Sequence, residues 1–207
     1  MFQQLRERSI LRKIRPFRNL DGWLTDQEAI GLYSTARRLP RHATVVEIGS
    51  WQGKSTYCLA KGLASGSVYA IDPFNADTAP EDSSRALYIE KKGDKDLLVS
   101  FRNNMEALDV IEKIIIKHGY SYQFHEDFNR INLLFIDGDH TIKGCSADFD
   151  LYASKIVPGG FIAFHDYYED RDELGPTYVI KNRVLTSNHF RFHRRYDSLW
   201  IARKADQ

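Results

Sequence analysis

The sequence has few cysteines and no long apolar run. Its two cysteines, Cys58 and Cys145, show neither C-x-x-C spacing nor histidine neighbours at metal-ligand spacing. This pattern argues against a disulfide framework or a zinc module, and it predicts two small buried thiols in a reducing compartment. No apolar stretch approaches the roughly 20 residues that cross a membrane, and the first residues lack the apolar segment of a signal peptide. We therefore expect a cytoplasmic protein without disulfides.

An excess of charge of one sign is also absent. The 29 Lys and Arg residues balance 28 Asp and Glu residues, which leaves a net charge of +1 and no general attraction to nucleic acid. The exception is a basic N-terminal arm, residues 1–20, whose cations are Arg6, Arg8, Arg12, Lys13, Arg15 and Arg18. Apolar residues at helical spacing predict a short amphipathic helix that ends near Pro16. We expect it to pack on the domain or on a second copy in a homo-oligomer; an anionic membrane surface or an anionic substrate is the alternative.

Residues 21–207 alternate strand-like runs with helical segments. Thr25 and Glu28 form a capping box that begins a helix ending near Leu39. Five strand-like runs follow at intervals, namely TVVEI, SVYAI, KIIIK, INLLFI and GFIAF. They are rich in Val and Ile and lack polar alternation, which is typical of parallel strands buried on both faces. Two final runs, HFRFHRR and SLWIARK, predict an antiparallel hairpin at the edge of the sheet.

These patterns predict one α/β domain. We expect a Rossmann-like, doubly wound, mostly parallel seven-stranded sheet with a C-terminal antiparallel hairpin. The length of 207 residues and the hydrophobic fraction of 43% agree with a single core. Residues 73–93 are polar and weakly periodic, which is typical of a lid or a substrate wall, or of a disordered loop.

The stretch EIGSWQGKST, residues 47–56, follows the first predicted strand. A P-loop has four residues between its glycines, whereas Gly49 and Gly53 enclose three, so an amide of the phosphate-binding nest is missing. Glycines here let the backbone turn sharply and let a cofactor approach the main chain. Asp72 ends the next strand, where an acidic residue accepts hydrogen bonds from both hydroxyls of a ribose. We interpret this as an adenosine-cofactor site; a P-loop-like ATP-binding protein is the alternative, because LLFID resembles the magnesium-binding strand of such proteins.

Ligands of an open parallel sheet lie outside the carboxyl ends of its strands. The residues at or beyond those ends are Glu47, Gly49, Gly53, Asp72, Gly119, Tyr120, Ser121, Asp137, Asp139, His140, His165, Asp166 and Tyr167. The frequency of Asp and Gly in turns explains any one of them, but core packing does not explain the whole set. We therefore predict a functional site at this edge of the sheet.

An ordered set of motifs resembles class I S-adenosylmethionine-dependent methyltransferases. VVEIGSWQGKST resembles their E-x-G-x-x-x-G first motif, and VYAIDPF resembles their second motif. LLFIDGDH and PGGFIAFHDY resemble the I-D-G-D-H and P-G-G-x-x-x-x-H-D signatures of a subgroup that acts on small molecules and sugars. The resemblance covers residues 22–204, and it implies S-adenosylmethionine as the cofactor and a small-molecule acceptor such as a sugar.

The resemblance also implies roles for individual residues. Gly49, Ser50 and Gly53 would line the methionine part of the cofactor, Asp72 would bind the ribose, and Ser121 would edge the adenine. The full set of implied cofactor-binding residues is Glu47, Gly49, Ser50, Gly53, Asp72, Ser121 and Asp137.

A magnesium site follows from a further resemblance, to catechol-type methyltransferases. Those enzymes hold a divalent metal between carboxylates at two strand ends, which implies Asp137 and Asp166 as ligands here. Tyr167 stands at the third ligand position, where a tyrosine suits magnesium poorly, so Asp139 or water would complete the shell.

Methyl transfer from a sulfonium is a direct displacement, so the protein must align the reactants and remove a proton from a hydroxyl acceptor. His140 is the predicted general base, since it follows Asp137 by three residues and an imidazole titrates near neutral pH. His165 is the second candidate. Alternatively, His140 is a hydrogen-bonded turn residue, and the chain is a non-catalytic cofactor-binding module. The aromatic residues that could stack on a sugar or a planar ring, or simply pack, are Trp51, Tyr167 and Tyr168.

Overall fold

A computed structural model describes residues 2–77 and 85–206. The helices are α1 (Phe2–Ile14), α2 (Asp26–Ala36), α3 (Lys54–Gly62), α4 (Arg85–Lys92), α5 (Leu97–Ala107), α6 (Ile142–Tyr152) and α7 (Gly175–Val179). The strands are β1 (Ala43–Ile48), β2 (Gly66–Asp72), β3 (Ile114–His118), β4 (Ile131–Ile136), β5 (Ile156–Phe164), β6 (Phe190–Tyr196) and β7 (Leu199–Lys204). Short 3-10 turns occur at Arg15–Asn19, Ile111–Lys113, Ser121–Gln123, His125–Asp127 and Ala153–Lys155, and a π-helical turn follows α7 at Ile180–Val184.

The seven strands form one sheet in the order β3-β2-β1-β4-β5-β7-β6. The first five strands are parallel, whereas β7 runs antiparallel to both β5 and β6. The predicted mostly parallel sheet with a C-terminal hairpin is therefore confirmed. Because β1 pairs with β2 on one side and with β4 on the other, the strand order reverses there and a crevice opens at the carboxyl ends of β1 and β4.

Alternate residues of the central strands belong to two hydrophobic cores, one on each face of the sheet. On β1, Val45 belongs to the core beneath the α1, α2 and α3 helices, while Val46 belongs to the core beneath α6 and α7. Both side chains are fully buried. Successive side chains of a strand point to opposite faces, so apolar residues at both positions are what a sheet covered on both sides requires.

The basic N-terminal arm packs on the first of these two cores. Ile10, Ile14, Phe17 and Leu20 are each at most 8% exposed and belong to that core. Their burial leaves the arm's Arg and Lys side chains on the outer surface, as the amphipathic spacing predicts. None of the helices within residues 2–77 and 85–206 combines the length and the apolar composition needed to cross a bilayer.

Three local predictions can be compared with the structure. The capping box is confirmed, since Thr25 caps α2 and the Glu28 side chain accepts from the Thr25 amide, although α2 ends at Ala36 rather than near Leu39. Both cysteines are free and buried, and burial raises the pKa of their thiols. The interpretation of residues 73–93 needs correction, because helix α4 occupies its second half; positions 78–84 lie outside the described residues. No residue of α4 is buried, and its Leu87 and Tyr88 side chains line the large cavity described below.

Candidate active site

A cavity of about 1490 Å³ opens at the carboxyl ends of the parallel strands. Of the residues predicted from the sequence, those that line it are Gly49, Ser50, Asp72, Gly119, Tyr120, Ser121, Asp137, Asp139, His140, His165 and Asp166. Glu47 and Gly53 do not line it, and neither does Tyr167, whereas Trp51 and Tyr168 do. Residues separated by more than 100 positions are thus brought to one cavity by the parallel arrangement of the strands.

The two glycines of the first loop are required for different reasons. Gly49 has a φ of +87°, and a Cβ built on it would lie 2.1 Å from the Asp137 carbonyl oxygen, so β1 and β4 approach too closely there for any side chain. Gly53 has a φ of +90°, and its Cβ would lie 2.4 Å from Met105 Cε on α5. A side chain at 53 would therefore require a left-handed backbone and would meet Met105 on α5.

Asp72 anchors the same loop from the end of β2. Its Oδ2 accepts hydrogen bonds from the backbone amides of Ser50 and Trp51, both at 2.8 Å, and its Oδ1 accepts from the Phe74 amide at 2.6 Å. Burial raises the pKa of this carboxyl even though the three amides oppose the shift. Two carboxylate oxygens accept about four hydrogen bonds, so Asp72 keeps acceptor capacity toward the cavity while holding the loop in place.

Glu47 lies one layer beneath the loop and is fully buried. Its Oε2 accepts a 3.0 Å hydrogen bond from Ser50 Oγ and a second bond from Thr56 Oγ1. Burial raises the pKa of Glu47 to about 7 despite these donors. Glu47 thus orients Ser50 from behind the cavity wall.

The predicted base and metal residues form one cluster on the β4 and β5 side of the cavity. His140 Nε2 lies 3.1 Å from Asp166 Oδ2 and 4.0 Å from Asp137 Oδ1. His165 Nδ1 lies 3.2 Å from each of the same two carboxylate oxygens. Hydrogen bonds with His140 and His165 lower the pKa of Asp166 far below its usual value, although burial opposes this.

The two histidines differ in what surrounds them. His165 faces carboxylates from both ring nitrogens, because its Nε2 lies 3.3 Å from Glu28 Oε2. Burial favours the neutral ring, but Asp137, Asp166 and Glu28 together raise the pKa of His165 well above that of an ordinary histidine. A carboxylate therefore faces each ring nitrogen of His165.

Glu28 was not predicted to be a site residue, because the capping box fully explained a glutamate at this position. In the structure this carboxylate reaches back to the active-site cluster and also accepts from Ser198, at 3.0 Å from its amide and 2.6 Å from its Oγ. Burial opposes the charged form of Glu28, yet the hydrogen bond from His165 and its other donors lower its pKa to about 2. One side chain therefore caps the start of helix α2 and supports the site.

The backbone is strained where it presents Asp166. This residue has a φ of +55°, a left-handed conformation that is uncommon for a side chain other than glycine or asparagine. It directly follows β5, and the turn aims its carboxylate at both histidines. Strain of this kind persists where surrounding contacts enforce it, and it is concentrated at functional sites.

The donors available here fit a magnesium ion poorly. Ligand atoms of Asp137, His140 and Asp166 lie within 4.8 Å of one another, close enough to hold a metal ion. One of the three is an imidazole nitrogen, whereas magnesium prefers an all-oxygen shell. Tyr167, at the third position that the resemblance implied, is 7% exposed and packs against Trp200.

Three aromatic side chains form a wall beside His140. Trp23, Trp51 and Tyr88 contact one another with ring centroids 4.8 to 5.6 Å apart. The Tyr88 ring is nearly parallel to His140, at 6.4 Å between centroids. Because Tyr88 comes from α4 and Trp23 from the segment before α2, this aromatic wall joins two parts of the chain that sequence patterns did not connect.

Both the sequence and the fold of this chain are similar to those of known proteins. The sequence model of a family described as a methyltransferase domain matches residues 46–167. A methyltransferase structure from Geobacter sulfurreducens is similar with a TM-score of 0.62 at 16% identity, covering 98% of this chain and 87% of that one. An O-methyltransferase from Bacillus cereus in complex with S-adenosylhomocysteine is similar with a TM-score of 0.63 at 16% identity, covering 96% and 90%.

Similar sequences are also found among curated proteins. An uncharacterised protein of Acanthamoeba polyphaga mimivirus is 28% identical over 136 residues, which are 62% of this chain and 53% of that protein. An uncharacterised protein of Sinorhizobium fredii is 25% identical over 135 residues, which are 61% of this chain and 13% of that protein. The matched region therefore spans about half or less of these relatives.

Proposed function

Because this chain belongs to the methyltransferase-domain family and has the class I S-adenosylmethionine-dependent fold, we propose that it transfers a methyl group to a hydroxyl oxygen of a small molecule, with His140 as general base. S-adenosylmethionine is the methyl donor in this proposal. The glycine loop, Asp72 and Ser121 line the part of the cavity that would hold it, in the order methionine, ribose and adenine.

One observation carries the choice of base, namely the unequal surroundings of the two histidines. His165 is buried and held between Glu28 and two aspartates, so both of its ring nitrogens already face carboxylates. The His140 side chain is 13% exposed, lines the cavity and has Asp166 Oδ2 at 3.1 Å. A base oriented by a carboxylate can accept a proton and keep the resulting imidazolium stable.

The bond changes then balance without a covalent intermediate. The acceptor oxygen forms the new O–CH3 bond as the C–S bond of the sulfonium breaks, and S-adenosylhomocysteine leaves as a neutral thioether. The acceptor O–H proton moves to His140. The protein's contribution is alignment of the three atoms and removal of one proton.

The position of the Lys54 ammonium group argues against the ATP-binding alternative. A P-loop lysine must reach the phosphates, but Lys54 Nζ donates to the Gly22 carbonyl at 3.0 Å and lies over the Phe17 ring at 5.8 Å from its centroid. The ammonium group is thus engaged at the cavity margin by two neighbours from the N-terminal region. The family membership points in the same direction.

The aromatic wall supports an acceptor with a flat or weakly polar face. Trp23, Trp51 and Tyr88 stand beside His140, where an acceptor hydroxyl must lie for its proton to be taken. Sugars and planar rings both pack against aromatic side chains. The acceptor panel for a first assay is therefore sugars, nucleotide sugars and phenols.

Two measurements test this function. Isothermal titration with S-adenosylmethionine, S-adenosylhomocysteine and magnesium-ATP should detect binding of the first two only, and binding of ATP alone would refute the proposal. In a methyl-transfer screen, His140→Ala should then lower kcat by roughly 10²- to 10⁴-fold with cofactor affinity near the parent value. His189→Ala, at an exposed histidine outside the cavity, is the matched control and should keep parental kcat. Full turnover by His140→Ala would remove the base assignment.

A further inference from the structure

The basic N-terminal arm carries a charge that the rest of the chain does not share. Residues 1–20 hold six Arg and Lys residues and one acid, Glu7, which gives the arm a charge of +5. Because the whole chain has a net charge of +1, the remaining residues carry −4. The protein is therefore polar in charge, with the arm as its positive end.

Most cations of the arm are exposed and unpaired. Arg18 forms a salt bridge with Asp26, whereas no salt bridge within residues 2–77 and 85–206 involves the other five. Those five, all exposed, are Arg6, Arg8, Arg12, Lys13 and Arg15. Glu7 is partly buried and accepts a 2.9 Å hydrogen bond from Gln3 Nε2. The outer surface of the arm thus keeps an excess of positive charge.

Helix α1 presents part of this charge on the side away from the core. Ile10 and Ile14 lie on its buried face. Leu5, Arg8 and Arg12 are separated by three and four residues, so they share the opposite face, and all three are exposed. Leu5 is an apolar side chain among arginines and is 55% exposed. A face of this composition suits the boundary between lipid headgroups and acyl chains.

A recess of about 500 Å³ lies where α1 passes into the 3-10 turn Arg15–Asn19. It is lined by Arg12, Arg15, Pro16, Arg18 and Asn19. None of these lining residues is acidic, and guanidinium groups bind phosphate oxygens through paired hydrogen bonds. The recess therefore suits the phosphate of a lipid headgroup.

We propose that the arm docks this protein on a bilayer that contains anionic phospholipids, with headgroup phosphates at Arg12 and Arg15. Clusters of four to eight Lys and Arg residues on an amphipathic helix bind such surfaces. The acidic remainder of the chain is repelled by the same surface, so the domain is oriented with the arm toward the lipid. A single-stranded nucleic acid fits less well, because no described side chain of the arm is an exposed aromatic ring on which a base could stack.

Co-sedimentation with vesicles tests this contact. At roughly 0.1 M salt the parent should bind vesicles of phosphatidylcholine with about one third phosphatidylserine, and it should not bind vesicles of phosphatidylcholine alone. Binding should weaken steeply as the salt is raised toward about 0.5 M, because ions screen the attraction. Arg8→Gln combined with Arg12→Gln removes two outward cations and keeps good helix formers. This variant should lower the partition coefficient roughly 10- to 30-fold.

Arg102→Gln combined with Arg130→Gln is the matched control. Both arginines are exposed and lie outside the arm, so the control loses the same charge. Its partition coefficient should stay within about threefold of the parent value, because charges beyond the screening length contribute little. Thermal melting reports whether each variant folds. Arg6→Gln with Lys13→Gln replaces the arm variant if that one does not, and it should also weaken binding several-fold.

The proposal is overturned if the parent does not bind the anionic vesicles, or if the control loses as much binding as the arm variant. Tighter binding of the parent to a single-stranded RNA than to the vesicles would make nucleic acid the partner instead. A dimer in sedimentation equilibrium that the arm variant dissociates would make the arm a contact between two copies, and it too would overturn the bilayer contact. The affinity for S-adenosylhomocysteine, measured by isothermal titration, tests the proposed function separately and should be the same in the parent and the arm variant.

Discussion

Glu28→Gln offers a sharp test of the buried support beneath the site. Glutamine can still serve at the third position of a capping box, so the substitution keeps helix α2 capped while removing the charge. Glu28 Oε2 accepts a hydrogen bond from the Thr25 amide and faces His165, while Oε1 accepts hydrogen bonds from the amide and the hydroxyl of Ser198. An amide offers only one acceptor oxygen, so either orientation of the glutamine deprives two donors of their acceptor.

The magnitude follows from burial. Each buried donor left without an acceptor is destabilising by about 1–3 kcal/mol, and breaking a buried ion pair by about 3–5 kcal/mol. The Glu28 side chain is 3% exposed, but His165 keeps two other carboxylates, so we expect the lower part of that range, about 3 kcal/mol. For a chain of this size that corresponds to a fall in Tm of roughly 6–12 °C.

The pH dependence has a definite sign. Because the pKa of Glu28 is lowered to about 2 in the folded protein, its carboxylate stabilises the fold above the unfolded value of 4.5, and that stabilisation disappears as the pH falls through about 2. The difference in unfolding free energy between parent and Glu28→Gln should therefore be full at pH 5–6 and shrink in acid.

Urea denaturation from pH 3 to 7 provides the measurement. Asp26→Asn is the control, since that neighbouring carboxylate pairs with Arg18 at the surface, with 41% and 49% of the side chains exposed, and should change the unfolding free energy by less than about 1 kcal/mol. A Glu28→Gln variant as stable as Asp26→Asn at pH 6 would refute the account of the buried pair.

Three further predictions concern the loop, the cofactor and the metal. Gly53→Ala should lower the unfolding free energy by roughly 1–3 kcal/mol in urea denaturation. Gly93→Ala is the control and should lower it by less, because Gly93 also has a positive φ but its Cβ would meet no atom nearer than 3.9 Å. Equal losses in the two variants would contradict the importance of the Met105 contact. Asp72→Ala should weaken S-adenosylmethionine by about 1–3 kcal/mol in isothermal titration, and unchanged affinity would remove the ribose assignment. Turnover should survive EDTA, because the donors of Asp137, His140 and Asp166 fit magnesium poorly; inhibition reversed by a metal would instead make His140 a ligand.

Local patterns of residues specify the strands, the capping box and the edge of the sheet where the site lies. Runs of Val and Ile specify strands buried on two faces, and their alternation with helices specifies the parallel sheet, because period and composition act within a few residues. The capping box at Thr25 follows from a four-residue pattern in the same way. Since parallel strands end at one edge, the sequence also brought Asp72, Asp137 and Asp166 to one cavity.

The contacts among the side chains at that edge depend on the folded arrangement of the chain. Glu28 reaches His165 across 137 positions of sequence, and this contact encloses His165 among carboxylates while His140 lines the cavity. Likewise, the contact between Gly53 and Met105 and the bond between Ser121 and Asp148 join separate helices and loops. Burial and charge pairing depend on distances in space that residue spacing does not encode, so the roles of these groups follow from the folded arrangement alone.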